Sequence, residues 1–130
     1  MTLLDTHVWL WWLSDPSLLT ETAKAQIAAA IDGDSLAASS ISAWEAEMLV
    51  KKGRLELTLA VDDLVSHCDG LSFFSFVPLT AKTGLQAARM EPFHPDPADR
   101  MIVATTIHYG GILITKDERI RKYGRVRTVW

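Results

Sequence analysis

The sequence predicts an α/β protein: a single domain over residues 1–130, with a short, mostly parallel central sheet and helices on both faces. Three observations carry this expectation. The segments that read as strands are short and apolar throughout rather than alternating, as in strands covered on both faces. They alternate with segments bounded by helix caps and by glycine or proline stops. The chain has 130 residues, 48% apolar and 22% charged, which suits one domain able to bury a core without disulfide staples.

The elements follow in order. Thr2–Leu4 reads as a strand ending at Asp5. Thr6–Leu13 reads as a helix broken by Ser14-Asp15-Pro16. Thr20 caps an alanine-rich helix through about Ile31, closed by Asp32-Gly33. Ser35–Ser39 is a second strand. Ser42–Lys52 is a helix in which Ser42 and Glu45 have capping-box spacing and Gly53 stands where a terminating glycine belongs. Leu55–Leu59 fits neither period. Asp62–Cys68 reads as helix, and Phe73–Pro78 as a third strand. Thr80 caps a helix to about Met90. Pro92, Pro95 and Pro97 force a loop. Ala98–Tyr109 is a helix closed by Gly110-Gly111, and Ile112–Thr115 is an apolar fourth strand. Asp117–Tyr123 is a short helix, and Val126–Val129 a last edge strand. No repeat or linker divides the chain.

Composition excludes several classes. One cysteine, Cys68, rules out a disulfide framework and a cysteine zinc cluster, and is expected to be buried and inert. The longest apolar run, Val8–Leu13, is too short to span a membrane. Met1-Thr2-Leu3-Leu4-Asp5 lacks the basic start of a secretory signal. A cytoplasmic protein is the expectation. The net charge is −3, yet six of the basic residues lie between Lys116 and Arg127, and Lys51, Lys52 and Arg54 form a second group. Each group is either a solvated face or a phosphate-binding rim. No Ser-His-Asp set, P-loop or dinucleotide fingerprint is present.

Open α/β sheets place their sites beyond the carboxyl ends of the strands. Asp5 directly follows the first predicted strand, and Asp117 follows the fourth. Glu45 lies early in the helix after the second strand, and Asp99 begins the helix leading into the fourth. Each of these acids has a modest reading as a helix cap or N-terminal charge. Together they gather at one end of the sheet, where like charges repel unless a cation is bound. All-oxygen ligands suit Mg²⁺ or Mn²⁺ rather than zinc. Such a centre cleaves phosphodiesters by clamping phosphate and activating water. Setting the four acids aside turns the net charge of −3 into +1, so the acidic total does not argue against a nucleic-acid substrate.

Leu3-Leu4-Asp5-Thr6-His7, Ser40-Ile41-Ser42-Ala43-Trp44-Glu45, Asp96-Pro97-Ala98-Asp99-Arg100-Met101-Ile102-Val103-Ala104 and Leu113-Ile114-Thr115-Lys116-Asp117 resemble the motifs of the PIN-domain nucleases. More narrowly, they resemble those of VapC-type toxins of bacterial toxin–antitoxin pairs. The resemblance runs from residue 3 to about 123. It implies a PIN-like fold and a Mg²⁺- or Mn²⁺-dependent endoribonuclease. Asp5, Glu45, Asp99 and Asp117 would be metal ligands, and the Thr115 hydroxyl would orient water or Asp117. It further implies an RNA substrate, a cognate antitoxin and a homodimer. The alternatives are a catalytically inactive module of the same fold that binds RNA or a partner, and a signalling receiver domain, which would require an acidic pair after the first strand.

Other residues carry weaker signals. Trp9, Trp11 and Trp12 cannot share one helix face, so they are core or a contact surface. His7 and His94 are structural or serve the site. Arg100 is expected to pair with a site carboxylate. Asp96 is a favoured N-cap with Pro97 at the first helical position, which leaves Asp99 as the ligand.

Overall fold

A computed structural model describes residues 1–130. Its first strand, β1 (Thr2–Leu4), lies at the centre of a five-stranded sheet of order β3-β2-β1-β4-β5. The other strands are β2 (Leu36–Ser39), β3 (Phe74–Val77), β4 (Ile112–Ile114) and β5 (Arg127–Val129). All four pairings are parallel, with Leu3 opposite Ala37 on one side and Leu113 on the other. The chain builds outward from β1 to β3, then returns to lay β4 against the other side of β1. Strand order therefore reverses between β1 and β4, the position where open α/β sheets leave a crevice.

Seven α-helices connect and cover the strands: α1 (Thr6–Ser14), α2 (Glu21–Asp32), α3 (Ile41–Lys51), α4 (Val61–Asp69), α5 (Ala81–Arg89), α6 (Pro97–His108) and α7 (Glu118–Tyr123). Side chains alternate across a strand, and the core divides accordingly. Leu4, Leu36, Ala38 and Ile114 face a layer built from α1, α2, α3 and α4, with Trp9, Ile27 and Leu64 among its buried residues. Leu3, Ala37 and Leu113 face Ile102 and Val103 of α6 and Ile120 of α7. Helices thus cover both faces, as the uniformly apolar strands require.

Local signals explain most boundaries. The Thr20 hydroxyl accepts from the Ala23 amide at 3.0 Å, and Thr80 forms a capping box with Thr83. Gly53 adopts φ 68° just past α3, where a side chain would be strained. Asp96 caps α6 by accepting from the Ala98 amide at 2.9 Å, with Pro97 opening the helix. Leu55–Leu59 is irregular, although Leu55 and Leu57 pack on the core.

Helix α3 corrects one expectation. It begins at Ile41 with Ser40 as N-cap, so Ser42 and Glu45 do not form a capping box. Ser42 is buried inside the first turn, and its hydroxyl accepts from the Thr6 hydroxyl at 3.0 Å. That bond ties α3 to the start of α1 and leaves the Glu45 carboxylate free of the backbone. The tryptophan cluster belongs mainly to the core. Trp9 is fully buried, and its indole N–H donates to the thiol of buried Cys68 at 3.3 Å. Trp12 stacks on Phe74, and Trp11 leans on Trp130.

Two glycines test this register. A Cβ at Gly111 would stand 2.7 Å from the Met1 carbonyl oxygen, whereas one at Gly84, within α5, would meet nothing within 4 Å. Gly111→Ala should lower stability by about 1–3 kcal/mol through overpacking. Gly84→Ala should raise it by about 0.5–1 kcal/mol through helix propensity. Thermal melts of both variants check this; Gly111→Ala melting with the parent would contradict the close approach of β4 to β1.

Candidate active site

The site grows from the adjacent ends of β1 and β4. Asp5 leaves β1 in extended conformation and caps α1, its Oδ1 accepting from the Thr6 amide at 2.8 Å. Its amide donates to the Ile114 carbonyl at 3.0 Å, so the two strand ends are bound through the backbone. Thr115, fully buried just past β4, donates its hydroxyl proton to Asp5 Oδ2 at 2.6 Å. The same hydroxyl accepts from the Asp117 amide at 3.0 Å. Thr115 therefore reaches Asp117 through the backbone and reserves its proton for Asp5.

Glu45 and Asp99 come to Asp5 from two helices. Glu45 lies about one turn into α3, whose start is pinned by the Ser42–Thr6 bond. Asp99 lies in the first turn of α6, where Asp96 has taken over the cap. One carboxylate oxygen from each of Asp5, Glu45 and Asp99 lies within 4.8 Å of the others. Asp117 stands slightly apart. Its Oδ1 caps α7 by accepting from Arg119 and Ile120 amides, and its Oδ2 meets His94 Nε2 at 2.8 Å. All four acids, with Asp96, line one open cavity of about 460 Å³.

Burial and mutual repulsion set the protonation of this group. Burial raises the Asp5 carboxyl above its ordinary value, with the Thr115 hydrogen bond opposing. Burial pushes Glu45 up to about 7, and the charges of Asp5 and Asp96 add to the rise. Asp99 is pushed up to about 9 by burial, then by the charges of Asp5, Glu45, Asp96 and Asp117. Asp117 goes the other way: burial works against its charge, but the His94 hydrogen bond and the Ile120 and Arg119 amides outweigh it and hold the carboxyl below its ordinary value. No lysine or arginine forms an ion pair with any of these acids; the one basic side chain in direct contact with them is His94, against Asp99 and Asp117. Asp5, Glu45 and Asp99, with no lysine or arginine paired to them, form an all-oxygen donor set that fits a hard divalent cation.

The two basic groups of the sequence each contribute one residue to the cavity. Lys116 and Arg54, from separate stretches, both line the acidic cavity with His7 and Trp11. The Lys116 ammonium lies 5.8 Å from the centre of the Trp11 ring. Arg121 and Lys122 border a different surface hollow with Glu118 and Thr128. Lys122 pairs with Glu118 at 3.6 Å.

Arg100 also departs from expectation. Instead of pairing with a site carboxylate, it donates through Nη2 to the Ala87 and Ala88 carbonyls at 2.7 and 3.2 Å. These carbonyls belong to the last turn of α5, which lacks helical partners for them and carries partial negative charge. His94 is the residue whose part was least legible in the sequence. Its closest available signal was its position in a proline-bracketed loop directly before two acids.

Comparison with known proteins agrees with this geometry. The family model described as "PIN domain" matches residues 2–126. The chain is 37% identical over 134 aligned positions to ribonuclease VapC22 of Mycobacterium tuberculosis, covering 98% of this chain and 97% of that protein. Among solved structures it is similar to VapBC2 of Rickettsia felis bound to a promoter DNA fragment, with TM-score 0.69 and 11% identity over 98% of this chain and 96% of that one. It is also similar to DNA-bound VapBC of Salmonella typhimurium, with TM-score 0.65 and 14% identity over 98% and 96% of the two chains. The match to FitAB bound to a DNA fragment has TM-score 0.65 and 20% identity over 99% and 94%. Sheet order, acidic crevice and sequence identity converge: the chain belongs to the PIN domain family and, within it, to the VapC-type nucleases.

Proposed function

We propose that this protein is the toxin of a VapBC-type toxin–antitoxin pair, an endoribonuclease that hydrolyses RNA phosphodiester bonds with a bound Mg²⁺ or Mn²⁺. The observation that carries the reading is the convergence of Asp5, Glu45 and Asp99 at the β1–β4 crevice without a lysine or arginine partner. The 37% identity to a ribonuclease over nearly the whole chain supports the same reaction class. Asp5, Glu45 and Asp99 are the proposed metal ligands, and Asp117 is the fourth acid of the site. When bound, the cation supplies charge neutralisation for the phosphate and a more acidic water as nucleophile. Thr115 holds Asp5 in one rotamer, and Asp96 is kept for the α6 cap. Lys116 and Arg54 at the cavity rim are suited to the flanking RNA phosphates.

The structural likeness to antitoxin complexes supports a cognate antitoxin as the protein partner. A homodimer and a cytoplasmic location belong to the same proposal. No helix is long and apolar enough to cross a membrane. The tryptophans of α1 are spent mostly on the core, so α1 is a poor choice for the dimer surface.

Cleavage of RNA by the purified protein should stop in excess EDTA and return with added Mg²⁺ or Mn²⁺. Asp99→Asn should abolish cleavage while the protein stays folded, because it removes a proposed ligand and relieves repulsion. Asp96→Asn should keep most activity and lose about 1 kcal/mol or less, since asparagine also caps well. Cleavage assays and melting temperatures on the same preparations check both; a dead, normally stable Asp96→Asn beside an active Asp99→Asn reverses the assignment.

RNA binding provides a separate test of the rim. Replacing Lys116 and Arg54 together by alanine should weaken binding and reduce its log–log salt slope by about 1–2, one unit or less per lost phosphate contact. The pair Arg121→Ala and Lys122→Ala should leave the slope unchanged. Affinities across a salt series, measured on an Asp99→Asn background, decide; the opposite ranking would move the RNA path to α7.

A further inference from the structure

His94 sits between Asp99, a member of the triad, and Asp117, which stands apart from it. Its side chain is only 8% exposed, and Nε2 stands 2.8 Å from Asp117 Oδ2 and 3.2 Å from Asp99 Oδ2. His94, Asp99 and Asp117 offer atoms within 4.8 Å of one another, so a mixed nitrogen–oxygen metal site is one reading of the group. The other ring nitrogen decides against it. The Asp96 amide donates to His94 Nδ1 at 3.1 Å, so Nδ1 presents its lone pair to that bond. In a neutral ring the proton is then on Nε2. A protonated Nε2 donates to carboxylates and cannot ligate a cation.

The loop carrying His94 is itself held at several points. Pro92, Pro95 and Pro97 restrict its backbone. The neighbouring Phe93 ring stacks on Tyr123 of α7 at 4.1 Å. His94 then reaches Asp117, the residue that caps the start of the same helix. Phe93 and His94 thus bind the two ends of α7 to the loop that leads into α6. The Asp96 amide that orients the ring comes from the residue whose carboxylate caps α6, so one residue registers both features.

We propose that His94 is a positioning residue: an Nε2–H donor to Asp117 whose ring, with Nε2 3.2 Å from Asp99 Oδ2, fixes the distance between the acid on α7 and the acid on α6. This inference rests on the reading of the carboxylate cavity as a divalent-cation site. Asp99 belongs both to the triad with Asp5 and Glu45 and to the group with His94 and Asp117. A donor at Nε2 therefore transmits the position of α7 to the triad. Its N–H also offsets part of the Asp117 charge that faces Asp99, without competing for the cation.

Two substitutions separate the donor from the ring. His94→Phe keeps the ring volume and removes the donor; His94→Gln keeps an N–H donor at similar reach and removes the ring. The full-length chain is titrated with Mn²⁺ by calorimetry, and RNA cleavage is followed in parallel. Loss of an outer partner of a metal site typically costs about 10–100-fold, so His94→Phe should bind Mn²⁺ about 10-fold or more weakly and cleave more slowly. His94→Gln should recover most of that loss. Nitrogen NMR of the parent should show the ring protonated on Nε2 and not on Nδ1. His94→Phe binding Mn²⁺ as the parent does, equal losses in both variants, or a ring protonated on Nδ1 would each overturn the proposal. Parent protein that binds Mn²⁺ but leaves RNA intact overturns the ribonuclease reading alone, and the clamp is then judged on affinity and tautomer. Parent protein that binds no Mn²⁺ overturns the cation-site reading and the clamp with it.

Discussion

Asp5, Glu45 and Asp99 are held where carboxylates in water would not gather, the first two buried and the third partly so, within a few ångströms of one another. Charge of one sign in that space is tolerated only if protons or a cation neutralise it. The surrounding structure resists the easier outcome, in which the acids swing apart. Asp5 is fixed by the Thr6 amide and the Thr115 hydroxyl. Glu45 is fixed through the Thr6–Ser42 bond between α1 and α3, and Asp99 by the capped start of α6. Strand ends and helix first turns are rigid supports, which suits a site that must hold its ligands before the ligand arrives. The stability given up in this corner is supplied by the two apolar layers on either face of the sheet.

The order of the strands makes the corner possible. β1 and β4 are neighbours in space but more than a hundred residues apart in sequence, and the crevice opens where connections leave in opposite directions. Asp5 and Thr115 meet only because the register sets Leu4 beside Ile114. A shift of one residue would turn the apolar alternation of Leu3 and Leu4 inside out, so the packing of both core layers also fixes the site.

How much of this was legible in the sequence follows the range of the interaction concerned. Strands such as Ile112–Ile114 and caps such as Thr20, Thr80 and Asp96 were readable because their causes lie within a few residues. The acids were readable as a set because open sheets put functional residues at strand ends. Besides His94, three features were not readable, and the first two involve partners distant in sequence. Ser42 was expected to cap α3 locally, yet it bonds Thr6, 36 residues away. Arg100 was expected to seek a carboxylate beside it, yet it finds the α5 carbonyls. The run from Lys116 to Arg127 looks continuous in one dimension, but the turn into α7 separates Lys116 from Arg121 and Lys122.

Burial raises the carboxyls of Asp5, Glu45 and Asp99, so protons occupy the site until a divalent cation replaces them. At pH 8 the Asp99 carboxyl, pushed up to about 9, still carries its proton in the cation-free protein. Binding of a divalent cation must expel it, because a ligating carboxylate is deprotonated. The direct measurement is calorimetric titration with Mn²⁺ at pH 8 in buffers of different ionisation enthalpy. Saturable binding with net proton release is expected, read from the slope of observed enthalpy against buffer enthalpy. A binding enthalpy independent of the buffer, or no saturable binding, would contradict it.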